Sequence, residues 1–236
     1  GIGVQAWNEL LYDPAFPLTN KAVTGQYPPG STYKMVTALA GLEAGLIKPG
    51  TTHHCPGHYD LGNHRFHCWK RGGHGWMNMH DSIKHSCDVY YYEISQKIGI
   101  DRIAAMAHKL GLGEDTGIDL PNERSGLIPT KDWKEIQLGK RWQGGETLIA
   151  SIGQGYVLAT PLQLCTMTAR LASGKAVRPH LTRDNVTPEG VTSREAEEFP
   201  ELQVSRANLA RVRDAMKLPQ LQHGGSGDPG HSGNVH

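Results

Sequence analysis

Several things that would mark a specialised protein are missing from this chain. It has no charge excess: 24 Lys+Arg stand against 23 Asp+Glu, a formal net charge of +1. Neither nucleic acid nor an anionic membrane surface is therefore its expected main partner, and the patch KRGGH at 70–74 is too short to alter that. No run of about 18 consecutive apolar residues is present. The opening GIGVQAWNELL also lacks the basic, apolar, small-residue order of a signal peptide. The chain starts without Met and in mid-pattern, so it reads as a fragment, with any anchor and export signal expected upstream. There is no internal repeat, and no H-E-x-x-H of a hydrolytic zinc enzyme. Gly153-Gln154-Gly155 lacks the Lys-Ser/Thr of a phosphate loop and reads as a tight turn. What remains is a globular chain of 236 residues, 38% hydrophobic, able to bury a core in one or two domains.

Apolar spacing and turn residues predict mainly helices. From Ser31, the positions Met35, Leu39, Leu42 and Leu46 share a helical face that ends near Gly45 and Lys48-Pro49-Gly50. Asp81 is placed to cap one continuous helix through DSIKHSCDVYYYEISQKIG, and Asp101 a third through DRIAAMAHKLG, stopping at Gly111. Thr160-Pro161 starts a helix that ends at Gly174, with Cys165 read as a core thiol on its apolar face. Ser205 caps a last helix carrying Leu209, Val212 and Met216 on one side. The strand candidates are KAVRPHL at 175–181 and, more weakly, GIDLP at 117–121 and TLIASIG at 147–153. Helices so dominant imply an α/β (α+β) domain whose sheet lies mostly elsewhere. After Leu218 the composition turns to Gly, His and Pro with little to bury, so 218–236 reads as a disordered or non-native tail on a domain spanning 1–217.

Two short motifs carry chemistry. Ser31 and Lys34, three positions apart at a loop-to-helix junction, share a helical face. A serine needs a base before it can attack, and a lysine can be that base. The first N–H groups of the helix would support an oxyanion there. Downstream, Ser86-Cys87-Asp88 offers a second hydroxyl to pass a proton and a short polar side chain to orient the lysine.

A second cluster stands apart from this chemistry. Eight of the 13 histidines and three of the four cysteines lie between His53 and Cys87. Cys55, Cys68, His74 and Cys87 form a complete three-thiolate, one-imidazole set for structural Zn²⁺. His54, His58, His64, His67 and His80 are possible substitutes for one ligand, and a disulfide within the cluster is the other reading. Cys87 sits between Ser86 and Asp88, so a metal there would tie a loop to the second motif.

Together with TNKAVTGQYPPGSTYK, HSCDVYYYEISQKIGIDRI, GLGEDTGIDLPNERSGLIPT and SIGQGYVLATPLQL, these motifs resemble the class B penicillin-binding proteins of the cell-elongation machinery. The resemblance runs from about residue 1 to 217. It implies a serine-transpeptidase-like domain, with helices packed on an antiparallel sheet, at the periplasmic face of the inner membrane. It implies a D,D-transpeptidase of peptidoglycan synthesis, acylated by stem peptides and by β-lactams and working beside elongation-machinery membrane proteins. In that reading Ser31 is the nucleophile, Lys34 its base, Ser86 a proton shuttle and Asp88 the orienting group. Metal ligands in this region of some relatives also favour zinc. The family's Lys-Ser/Thr-Gly, however, is missing: Gly174-Lys175-Ala176 comes too early and His231-Ser232-Gly233 is only a faint echo. The C-terminal part of the sheet is therefore expected to be missing too, and a catalytically incompetent, zinc-stapled scaffold is the alternative function. A serine β-lactamase is disfavoured, because no residue is assignable to activating a deacylating water.

Overall fold

The computed structural model describes residues 1–217 apart from 183, 189 and 194–196. Its first part holds α1 (Val4–Leu11), α2 (Lys21–Thr24), a 3-10 turn (Gly30–Tyr33) and α3 (Lys34–Glu43). Four short strands follow, β1 (His53–Cys55), β2 (His58–Leu61), β3 (His64–His67) and β4 (Gly75–Met77). Next come α4 (Met79–Lys84), α5 (Asp88–Ile98), α6 (Ile100–Lys109), α7 (Lys131–Leu138), α8 (Gly144–Ser151) and α9 (Pro161–Ser173). The hairpin β5 (Asp184–Thr187) and β6 (Gly190–Ser193) precedes α10 (Arg206–Lys217). No helix among the described residues is long and apolar enough to cross a membrane.

The core is helical. α3 packs on α5 and α6, α5 on α8, and α10 on α3 and α4. Val36, Leu39, Ile94, Ile98, Ile103 and Leu148 are fully buried between them, each such side chain contributing about 1.5–3 kcal/mol. Gly41 lets α3 approach closely, since a Cβ there would lie 2.9 Å from Ile98 Cδ1. Glu43, at the end of α3, accepts hydrogen bonds from Ser205 N and Asn208 Nδ2 and so fixes the start of α10.

Among the described residues the strands form three two-stranded antiparallel sheets, β1–β4, β2–β3 and β5–β6. The mixed α+β class stands, with only part of the expected sheet present. Five expectations need correction. The segment 147–153 is mostly helix α8, because its apolar residues meet α5 around one helical face. Residues 175–181 and 117–121 contain no strand; only an isolated Lys175–Glu201 bridge occurs there. Residues 79–98 are two helices, the first capped by Asn78 rather than Asp81. On α9, whose capping box Thr160–Gln163 and left-handed Gly174 match the prediction, Cys165 is exposed: the core side is taken by Thr166, Met167 and Leu171. At the end of α3, Ile47 rather than the exposed Leu46 enters the core. The tail from residue 218, with His231-Ser232-Gly233, lies outside the described residues.

Candidate active site and metal centre

Ser31 sits in the 3-10 turn that leads into α3. The turn is shaped by Gly30, whose φ is +58°, and is held by Gly30 N donating to Gly153 O at 2.9 Å. Gly153 itself has φ +70°, and a Cβ on it would overlap Gly30 O and Tyr33 Cβ. The Gly-Gln-Gly turn is thus the floor under Ser31, and Gly is required by both conformation and contact.

Lys34, the first residue of α3, is 1% exposed. Its ammonium donates to Ser86 O at 2.8 Å, Ser86 Oγ at 2.9 Å and Asp88 Oδ1 at 2.6 Å, which uses all three protons. Ser86 Oγ donates in turn to Ser31 Oγ at 2.8 Å. The second hydroxyl therefore stands between the lysine and Ser31. This follows from the break between α4 and α5: Ser86 has φ +50°, unusual for a residue with a side chain. That turn points both its carbonyl and its hydroxyl at Lys34. Asp88 lies in the first turn of α5, where the helix N-terminus favours a carboxylate.

Sequence reasoning missed Trp69. Its backbone N–H donates to Asp88 Oδ2 at 3.0 Å, and its indole Nε1 to Ser86 O at 3.0 Å. Nothing in the sequence marks it beyond its place after Cys68. Ser31, Ser86, Asp88 and Trp69 line an open cleft of about 570 Å³ with His67, Cys68, Tyr92, Ile152 and Gln154. Tyr92 thus lines the groove, while Tyr90 and Tyr91 are core.

Behind this cleft, Cys55, Cys68, His74 and Cys87 put their ligand atoms within 4.8 Å of one another. His74 Nδ1 lies 3.6 Å from Cys55 Sγ and 3.5 Å from Cys68 Sγ. A tetrahedral zinc with ordinary Zn–S and Zn–N lengths sets such neighbours about 3.5 Å apart, so the donor set fits the ion. Gly57 and Gly73 make the arrangement possible, because a Cβ on either would overlap the other loop's backbone. The Cys87 thiol beside Cys68, with backbone N–H groups of Asp88, Lys70 and Val89, holds the Cys68 thiol well below its ordinary value. Cys87, donor in that pair and buried, is pushed up. All four cysteines of the chain are free thiols. Of the alternative histidines, none joins the group.

A serine hydroxyl linked through a second hydroxyl to a buried lysine and a carboxylate, on helices beside a cleft, defines the class of penicillin-binding serine transpeptidase domains. The family model "Penicillin binding protein transpeptidase domain" matches residues 4–234, and the chain belongs to that family. Within it the likeness is to PBP2, also called MrdA. The chain is 42% identical over 186 residues to the peptidoglycan D,D-transpeptidase MrdA of Acinetobacter baumannii, which covers 78% of this chain and 28% of that protein. It superposes on Pseudomonas aeruginosa PBP2, solved in complex with WCK 5153, with TM-score 0.83 and 38% identity, covering 95% of this chain and 51% of that one. Helicobacter pylori PBP2, solved in complex with MreC, gives TM-score 0.81 and 34% identity, covering 93% and 39%. The chain thus spans under a third of that curated relative's length.

Proposed function

We propose that this chain carries the acylating part of a peptidoglycan D,D-transpeptidase, with Ser31 as nucleophile and Lys34, Ser86 and Asp88 as its proton-handling group. The observation that supports it best is the unbroken series Ser31 Oγ, Ser86 Oγ, Lys34 Nζ and Asp88 Oδ1, each step between 2.6 and 2.9 Å. With Lys34 as the neutral amine, the Ser31 proton passes to Nζ through Ser86 Oγ. Ser31 Oγ then bonds to the carbonyl carbon of the penultimate D-Ala of a stem peptide. The developing oxyanion lies at the start of α3, where backbone N–H groups face it. The proton returns through Ser86 to the leaving nitrogen, D-Ala departs, and a neighbouring stem's amine takes the acyl group. A β-lactam amide enters the same first step but keeps its leaving nitrogen tethered.

The four cluster residues would hold zinc. Bound there, the ion supplies structure only, since four protein donors fill a tetrahedral shell and leave no place for water. Cys87 lies inside the second motif and Cys68 next to Trp69, so a metal on the cluster would hold Ser86, Asp88 and Trp69 in register. Localisation at the periplasmic face of the inner membrane, and elongation-machinery membrane proteins as partners, are part of this reading by likeness to PBP2. The domain is taken as 1–217, with 218–236 as a tail. The second reading is a zinc-stapled scaffold that is not acylated. Intact-mass spectrometry after incubation with a penicillin separates the two. One drug mass added to the wild type and absent from Ser31→Ala upholds the transpeptidase reading. No adduct on a folded, zinc-loaded chain favours the scaffold.

A further inference from the structure

Trp69 is 64% exposed, yet both of its N–H groups are used. The backbone N–H donates to the Asp88 oxygen that Lys34 leaves free: Lys34 takes Oδ1 and Trp69 takes Oδ2. The indole N–H is shared between His85 O at 3.3 Å and Ser86 O at 3.0 Å, and Ser86 O is also an acceptor for Lys34. The Ser86–Asp88 turn is therefore gripped from two sides, by Lys34 from the core and by Trp69 from the cleft, at one shared carbonyl, Ser86 O, and at opposite oxygens of Asp88. The turn needs holding, because Ser86 occupies the left-handed region at φ +50°, a conformation that residues with side chains adopt only when their surroundings enforce it. The ring is largely in solvent and meets the His74 ring edge-on at 5.2 Å between centroids; what ties it to the Ser86 turn is its polar edge.

Resting on the acylation reading above, we infer that Trp69 is a positioning residue for Ser31 acylation: its indole N–H holds the Ser86 turn so that the Ser86 hydroxyl stays between Ser31 and Lys34. It acts through Ser86 rather than on the substrate. Its place directly after Cys68 gives the thiol cluster a second link to the Ser86–Asp88 turn, beside Cys87 within the turn itself. Loss of the indole donor should slow the chemical step without weakening the initial encounter, because the ring that lines the cleft is retained in Trp69→Phe.

The test is stopped-flow acylation by a fluorescent penicillin, resolved into the dissociation constant of the first complex and the acylation rate k2. Bound zinc and Tm are measured on the same samples of the zinc-loaded protein. For Trp69→Phe the expected result is k2 lower by about tenfold, the worth of one hydrogen bond left unmade, with the dissociation constant within about twofold of wild type and zinc retained. A change confined to the dissociation constant would make Trp69 a wall that touches the ligand and overturn the inference; so would an unchanged k2. If the wild type forms no adduct, the acylation reading itself has failed, and the positioning is judged on the ¹⁵N-bound indole proton of Trp69. Slow solvent exchange of that proton, with a resonance displaced by Lys34→Met, upholds it. Exchange at the rate of free indole overturns it.

Discussion

Around α3, α5, α6 and α8 the buried side chains include Val36, Leu39, Ile94, Ile98, Ile103 and Leu148; between residues 52 and 78 they are His53, Cys55 and Cys68, with Gly57 and Gly73 beside them. The first region is an apolar frame and the second has no buried aliphatic side chain at all. Its strands are three or four residues long, in two-stranded sheets that are marginal by themselves. Both regions nevertheless reach the same turn: Lys34 comes from the frame, Trp69 from the loops, and they meet on Ser86 and Asp88. The difference teaches that this cleft depends on two kinds of support. One is non-directional packing, tolerant of small losses. The other is a few directional bonds, where each donor counts.

The largest effect is expected on the frame's buried cation. In Lys34→Met the buried ammonium is replaced by an apolar side chain of similar length, so Ser31 loses the base we propose for it while α3 keeps its packing. Penicillin acylation should fall by about 10³-fold, within the range for a positioned acid–base group. Stability should fall by less than the roughly 3–5 kcal/mol of a fully buried pair broken on one side, since Asp88 keeps the Trp69 N–H and is 13% exposed. A rate within tenfold of wild type would remove Lys34 from the chemistry and leave it a structural cation.

The next effect separates the two supports directly. With zinc about a hundredfold above its Kd, the ion should stabilise the fold by about 2.7 kcal/mol, or roughly 5–10 °C in Tm for a chain of this size. Chelation should remove that increment and also expose the amides of β1, β4 and Trp69 to hydrogen exchange, while α3 and α5 remain protected. Equal loss of protection in both regions would mean that the loops and the frame unfold as one unit and that the comparison above is false.

How much of this was legible in the sequence follows the same division. α9 was readable because its signals are local: Thr160, Pro161 and Gly174 act on their own backbone. The cysteine and histidine cluster was readable because three of the four cysteines and eight of the 13 histidines crowd into one short stretch, a density that packing does not require. Ser31 and Lys34 were found from one turn of helix geometry. The break at Ser86 was not, since no Gly or Pro marks it; the left-handed turn is held by bonds from Lys34, 52 positions away, and from Trp69, 17 positions away. Residues 147–153 misled because a short apolar run has no period long enough to tell strand from buried helix. Trp69 and the floor under Ser31 are tertiary facts: each becomes functional only when a distant segment arrives beside it.

The smallest effect concerns a contact that resembles support and supplies little. Across the β2–β3 hairpin, Arg65 meets Asp60 with two bonds of 2.7 and 2.8 Å, both side chains being exposed. The guanidinium beside it holds the Asp60 carboxyl below the usual carboxylate range. Because the folded value is the lower one, the contact contributes fully above the ordinary Asp titration and is lost as pH falls through the lowered value. In Arg65→Gln the Asp60 carboxyl, followed by its ¹³C resonance, should titrate at the ordinary value, with Tm unchanged, since exposed pairs are screened and contribute little. A large drop in Tm would show that the loop region leans on this ion pair as well as on its thiols. The division between frame and loops would then have to include surface charge among the directional bonds.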